Sequence, residues 1–243
     1  MKLRPEHKSD LDRLRAEYAR RKLRLQGSDI YSPFNQAYLF MKQTRQRVTL
    51  TLLKRYGFSQ LDGYRILEVG CGHGRVLLEF LSYGADPERL CGIDVIFDAL
   101  QTARRRSPHL PLLCANGGEL PFQDGAFDLV LQYTAFSSVL DQDIRRGMAD
   151  EMLRVLHGPK GLILWYDFWF NPANNQTAGI RRAEVCRLFP SCNCEFHRIT
   201  LAPPIARRLV PISWMGASLL EKLHFLNSHY LVGIRPRNRG GPV

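Results

Sequence analysis

Residues 66–75 read ILEVGCGHGR. Four residues suited to a buried strand run straight into glycines at 70, 72 and 74, and Arg75 follows. Glycine loses more backbone freedom on folding than any other residue, so three at alternate positions need a reason. A turn without side chains lets another group come close to the main chain. In a doubly wound sheet ligands sit outside the carboxyl ends of the strands, and the turn after the first strand is such a place.

Outward from that turn, residues 63–170 alternate strands and helices. RILEV is followed by helix GRVLLEFLSYG, CGIDV by helix FDALQTARRRS, and PLLCAN and FDLVLQY by helix DIRRGMADEMLRVL and then strand GLILWYDF. Such alternation predicts right-handed βαβ crossovers and a parallel sheet covered on both faces. Further on, NPANNQTAG reads as a loop and IRRAEVCRLF as a short helix. EFHRITL and SHYLVGIRP read as two closing strands around an apolar helical insertion at 203–226. The expected fold is α/β, a doubly wound, mostly parallel seven-stranded sheet. An N-terminal helical arm or lid spans 1–62, and the ligand-binding domain spans 63–243. In the arm, Ser9 or Asp10 offers an N-cap for a first helix, and a second resumes after Pro33 and ends near Gly57.

Composition narrows the function. The chain has 243 residues, 45% hydrophobic and 23% charged, a globular balance. No run approaches the ~18 apolar residues of a spanning helix. MKLRPEHKSD lacks the apolar core of a secretory leader, so a cytoplasmic protein is expected. Cysteines 71, 91 and 114 lie near strand ends, as small buried thiols do, and a reducing compartment without structural disulfides is expected. The net charge is +11, and residues 1–55 carry 14 Lys/Arg against 5 Asp/Glu. A basic arm suits nucleic acid, an anionic membrane surface or a phosphorylated substrate; a solvated helix face explains it equally well.

The glycines are spaced G-x-G-x-G, and Arg75 stands where a dinucleotide fingerprint puts its third glycine, which weighs against a nicotinamide cofactor. Asp94 ends the second strand, where a carboxylate accepts bonds from two ribose hydroxyls. Asn116 and Gly117 follow the third strand, where an amide side chain and a backbone N–H address the adenine edge.

ILEVGCGHGR, the GID at 92–94, LPFQDGAFDLVL at 120–131 and the stretch 145–170 together resemble the class I S-adenosylmethionine-dependent methyltransferases, closest to the ubiquinone-biosynthesis-like, type 11 branch. The likeness spans about 62–170, and the four motifs keep their order and spacing. It implies the Rossmann-like methyltransferase fold and S-adenosylmethionine as cofactor. It also implies roles. Glu68 orders the turn near the methionine amine, Gly70 and Gly72 admit the cofactor, and Gly74 leads into the helix. Asp94 takes the ribose. Asn116 stands where the family more often has Asp, and the Gln132 carbonyl meets the methionine amine. His73 holds a position often given to a small hydroxyl residue. EYARRK, SPFNQAYLF, ILWYDFWFNPANN, LFPSC, ITLAPPIARRL and SHYLVGI are similar to a bacterial subgroup that accompanies polysaccharide and glycolipid biosynthesis.

Methyl transfer from a sulfonium is an in-line displacement: the protein aligns the nucleophile, excludes water and, for a hydroxyl, takes a proton. Asp167, at the end of the strand facing the methyl group, is the leading candidate base, with Tyr166 as its orienter or alternative. An Asp at this position suits equally well a cap on the loop that follows. Tyr18 and Tyr31, with Phe34 and Tyr38, are candidates to line a lid over substrate, and Asn171 and Asn174 to bind its hydroxyls. His197 and His229 are weaker bases. Cys186, Cys192, Cys194 and His197 gather soft ligands, but C-x-C is not the usual zinc knuckle and no metal is expected. Arg207 and Arg208 suit an anionic group on the acceptor. The expected reaction is O-methylation of a small-molecule, glycan or lipid-linked acceptor by a monomer or homodimer. An RNA methyltransferase docking through the basic arm is the first alternative, although LQYT replaces the Asn/Asp-Pro-Pro-Tyr/Phe signature of base-amine methylation. A non-catalytic binding subunit is the second.

Overall fold

A computed structural model describes residues 5–171 and 176–237. Its sheet has seven strands: β1 (Ile66–Val69), β2 (Leu90–Asp94), β3 (Leu112–Cys114), β4 (Leu129–Tyr133), β5 (Leu162–Phe168), β6 (Cys192–Leu201) and β7 (Asn227–Pro236). Their order is β3-β2-β1-β4-β5-β7-β6. The first five run parallel, whereas β7 pairs antiparallel with both β5 and β6. Strand order reverses between β1 and β4, so the glycine turn after β1 does stand at the switch point. All four residues of β1 and all five of β4 are buried. Their unbroken burial reflects covering on both faces.

On one face, α2 (Gln36–Arg55), α3 (Arg75–Ser82) and α4 (Phe97–Arg106) contribute Leu52, Leu77 and Leu100 to one core. On the other, α5 (Gln142–Val155) and α6 (Arg182–Leu188) supply Met152 and Val185 to a second. Between β6 and β7 lie α7 (Pro203–Leu209), α8 (Trp214–Glu221) and a 3₁₀ turn. Ala206 and Ala217 of these helices join Ala37 and Phe40 of α2 in a third, smaller cluster.

Two local expectations change. The first helix, α1 (Pro5–Arg24), begins ahead of the Ser9/Asp10 cap. Proline is well suited to a first helical turn, because its missing N–H would have no partner there. Asp10 instead pairs with Arg13 inside the helix, at 2.8 Å. Cys114 is exposed rather than buried. It ends β3, an edge strand of only three residues.

Candidate active site

The turn after β1 holds Gly70, Gly72 and Gly74 at φ +77°, +50° and +71°, a region that side-chain-bearing residues avoid. A Cβ on Gly70 would lie 2.5 Å from that of Ala135, so the turn nests against the loop after β4. Asp94 pins the turn: Gly72 N–H donates to one carboxylate oxygen at 2.7 Å, and Ile96 N–H to the other at 2.8 Å. Burial pushes the Asp94 carboxyl up, against those two amides, which pull it down. Glu68 is also buried, and one of its oxygens has no hydrogen-bond partner. Burial, then the neighbouring Glu79 and Asp94, raises it well above the usual carboxylate range. A cation brought beside Glu68 would stabilise its charged form. Asn116 Oδ1 accepts from Gly118 N–H at 3.0 Å, so this side chain shapes its own turn. Gly117 is held small by packing: an added Cβ would meet Met148 at 3.1 Å and Val69 at 3.2 Å.

The arm crosses this end of the sheet. Arg13 of α1 donates to Ser138 O, in the loop after β4, at 2.6 Å. Tyr31 O–H accepts from Arg21 at 2.6 Å, and its ring lies 5.4 Å from the guanidinium of Arg75, the first residue of α3. The Tyr18 phenol is pushed up to about 12 by burial, then by the negative charge of Asp94. Tyr18 therefore adjoins Asp94, and Tyr31 fastens the arm to α3. His73 is exposed, and its imidazole is pushed below its ordinary range by partial desolvation and then by Arg75.

The two candidate catalytic residues separate. Side chains alternate along a strand, so Tyr166 and Asp167 point to opposite faces of β5. One cannot orient the other. Asp167 accepts from Gln132 Nε2 at 2.9 Å, Ser137 N–H at 3.0 Å and Phe168 N–H at 2.8 Å. Burial raises its pKa to about 6 despite the Ser137 and Phe168 bonds. This carboxylate organises the loop after β4 and also takes the Phe168 N–H at the end of β5. The fully buried Gln132 side chain completes that loop, accepting from Ala135 N–H at 3.4 Å.

Tyr166 shares a 2.9 Å hydrogen bond with Thr200 and stacks on His229, with ring centres 4.7 Å apart and planes 3° from parallel. Burial raises the phenol to about 12, and burial lowers His229 to about 3, with Arg45 adding to the fall. Thr134 and Thr200 have φ of +61° and +67°. For β-branched residues this is strained, and such strain clusters at functional sites. Asn171 donates to Thr177 at 3.0 Å within the loop after β5, and Asn174 lies outside the described residues. His197 bonds Glu195 at 2.9 Å. Among the described residues no group of three or more His, Cys, Asp or Glu is placed to hold a metal ion.

Sequence reading missed Arg45 of α2. Its guanidinium donates to both oxygens of Glu79 on α3, at 2.6 and 2.8 Å, and lies 5.5 and 5.4 Å from the rings of Tyr133 and Tyr166. The buried charge is compensated by an ion pair and two aromatic rings.

Residues 66–161 match the family model described as a methyltransferase domain. Over this segment, about two-fifths of its length, the chain is similar to methyltransferase domains. The chain is 34% identical over 117 residues to phthiotriol/phenolphthiotriol dimycocerosates methyltransferase 1 of Mycobacterium ulcerans, covering 47% of this chain and 41% of that protein. It is 32% identical over 111 residues to a fatty-acid O-methyltransferase of Mycolicibacterium smegmatis, covering 45% and 39%. The chain thus matches about two-fifths of the length of these curated relatives. A geranyl diphosphate C-methyltransferase of Streptomyces coelicolor, solved with S-adenosyl-L-homocysteine, shares the fold at TM-score 0.58 and 14% identity, covering 79% of this chain and 77% of that one. The methyltransferase domain's cofactor is S-adenosylmethionine. The glycine turn, the carboxylate at 94 and the unpartnered oxygen of Glu68 fit its backbone-hugging, ribose and cationic amine parts in turn.

Proposed function

We propose that the chain transfers a methyl group from S-adenosylmethionine to an oxygen of a lipid-linked, glycan or other small acceptor. One observation carries the reading: a left-handed glycine turn is already pinned by a buried carboxylate, beside a second carboxylate with a free oxygen. Glu68 receives the methionine amine, Gly70 and Gly72 let the cofactor lie on the main chain, and Gly74 starts α3. Asp94 exchanges its amide bonds for ribose hydroxyls, with Asn116 and Gly117 beside the adenine. Gln132 and Asp167 hold the loop that flanks the methionine end, and Tyr18 shields the ribose side from water.

Bound S-adenosylmethionine supplies a methyl group on a positive sulfur, already carrying its leaving group. The residues then need only to align an acceptor and keep it dry. Near the end of β5, the described bases are engaged or poor: Asp167 holds three donors, and His229 resists protonation. This favours an acceptor oxygen that is already ionised, a carboxylate. The names of the relatives, which include a fatty-acid O-methyltransferase, support a lipid-like acceptor. RNA is less favoured, because Arg13, Arg20 and Arg21 of the basic arm are engaged by partners within the chain.

The test is transfer of labelled methyl groups into lipid, glycan and RNA fractions of a cell extract. Label in a lipid fraction that mild alkali releases as methanol supports the reading. Label confined to RNA, or cofactor binding with no turnover on any fraction, overturns it.

A further inference from the structure

The segment between β6 and β7 carries an anomaly that methyl transfer does not use. Ile212 lies in the turn before α8, Met215 and Leu219 stand four residues apart on one face of that helix, and Leu223 lies just past its end. They are 83%, 74%, 57% and 44% exposed. Phe225, in the adjoining 3₁₀ turn, is 68% exposed. The same helix turns Ala217 into the protein core. α8 is therefore apolar on its inward and its outward side, and the outward stripe has no intramolecular cover. Contiguous exposed apolar surface of this kind marks an interaction site.

The charges around it have one sign. Arg207, Arg208 and Lys222 are exposed, and Glu221 is the only acidic residue between 203 and 226. Glu221 is turned inward: it accepts from the Thr44 hydroxyl at 2.9 Å and from Leu201 N–H at 3.4 Å. An apolar stripe edged by unpaired cations, with its one anion withdrawn, matches the interface of an anionic bilayer, where apolar side chains enter the acyl boundary and cations meet the headgroups. Spanning is not involved: among the described residues no helix is long and apolar enough to cross a membrane.

The location adds to the case. The insertion leaves the sheet after Leu201 and returns at Asn227, and Trp169, in the loop after β5, donates to Asn227 O at 2.6 Å. We propose that the outer face of the α7–α8 segment docks this chain on anionic lipid bilayers, holding the carboxyl end of β5 near the membrane surface. The proposal does not depend on which acceptor is methylated, since its readout is binding alone.

The test is co-sedimentation of the full chain with vesicles of phosphatidylcholine, with and without phosphatidylglycerol. The wild type is expected to bind the anionic vesicles and to be released by salt. Replacing Ile212→Asp, Met215→Asp and Leu219→Asp together should lower partitioning by about 100-fold or more. Arg207→Gln with Arg208→Gln should lower it by about 30-fold, and Leu78→Asp, on exposed α3 surface, should leave it unchanged. If circular dichroism shows the triple variant unfolded, Met215→Asp alone is measured and should still weaken binding. No binding by the wild type, equal binding to both vesicle types, or undiminished binding by folded stripe variants overturns the proposal. So does a wild-type dimer in sedimentation velocity that the stripe variants dissolve, which would assign the face to a second copy.

Discussion

The two halves of the sheet solve different problems. The half around β1, β2 and β4 is built from neighbours in sequence: a four-residue strand, a glycine turn and an acid 22 residues beyond Gly72, bonded back to it. The half around β5, β6 and β7 is built from distant partners. Tyr166 meets Thr200 and His229 lies under Tyr166, while Arg45 of α2 meets Glu79 of α3 across to the first half. The first half therefore leaves no room for a side chain at Gly70. The second depends on compensated burial of polar groups, each partner supplied by another element. Under the proposed function, the first half holds the cofactor and the second faces the acceptor, a division that suits a fold in which one cofactor serves many acceptors.

That contrast can be broken by substitution. The largest effect is expected at the ion pair joining the halves. Arg45→Met should cost about 3–5 kcal/mol in urea unfolding, because it strands Glu79. The double variant with Glu79→Leu should recover most of that loss, and failure to recover would mean that the arginine acts through more than its pair. Gly70→Ala comes next. Its methyl would overlap Ala135 and hold alanine at positive φ, so a loss of about 2–4 kcal/mol is expected, with weakened cofactor binding by calorimetry. A tolerated alanine would show the cradle to be less rigid than drawn.

Asp167→Asn should cost about 1–3 kcal/mol, since an amide cannot accept from all three donors. Turnover should fall with it while the pH–rate profile keeps its shape. A lost titration limb near pH 6 would instead restore Asp167 as the proton acceptor. The smallest effect concerns His229, whose pKa falls from 6.5 to about 3 on folding. The native state then binds fewer protons than the unfolded chain between those values, so this histidine's contribution is complete above pH 6.5 and drains away as pH falls toward 3. Removing it with His229→Gln should narrow the gap to wild type by about 1.4 kcal/mol per pH unit on acidification, measured by denaturant titrations at pH 6, 5 and 4. A constant gap would show that His229 titrates normally.

The same division explains what the sequence disclosed. The doubly wound parallel sheet follows from alternation plus crossover handedness, and Asp94 from its place at a strand end; both are local signals. The separation of Tyr166 from Asp167 was also available, because period-two alternation alone puts consecutive residues on opposite faces. The partnership of Arg45 was not, since Glu79 lies 34 positions away and the two rings are further still. The positive φ of Thr134 and Thr200 had no sequence sign either, because threonine is among the residues least expected there. Tyr18 and Tyr31 were read as part of a lid, but which wall of the crevice they meet depends on how α1 lies across it.

The reversed direction of β7 has one more consequence. Because β6 and β7 run as neighbours in opposite senses, the chain departs and comes back side by side, with Ala202 N–H bonded to Leu226 O at 2.9 Å. Closing a loop between ends already together adds little entropy per extra residue. Evolution can lengthen, shorten or recolour that excursion while the other strands keep their register, which makes it the cheapest place in the molecule to acquire a new habitat.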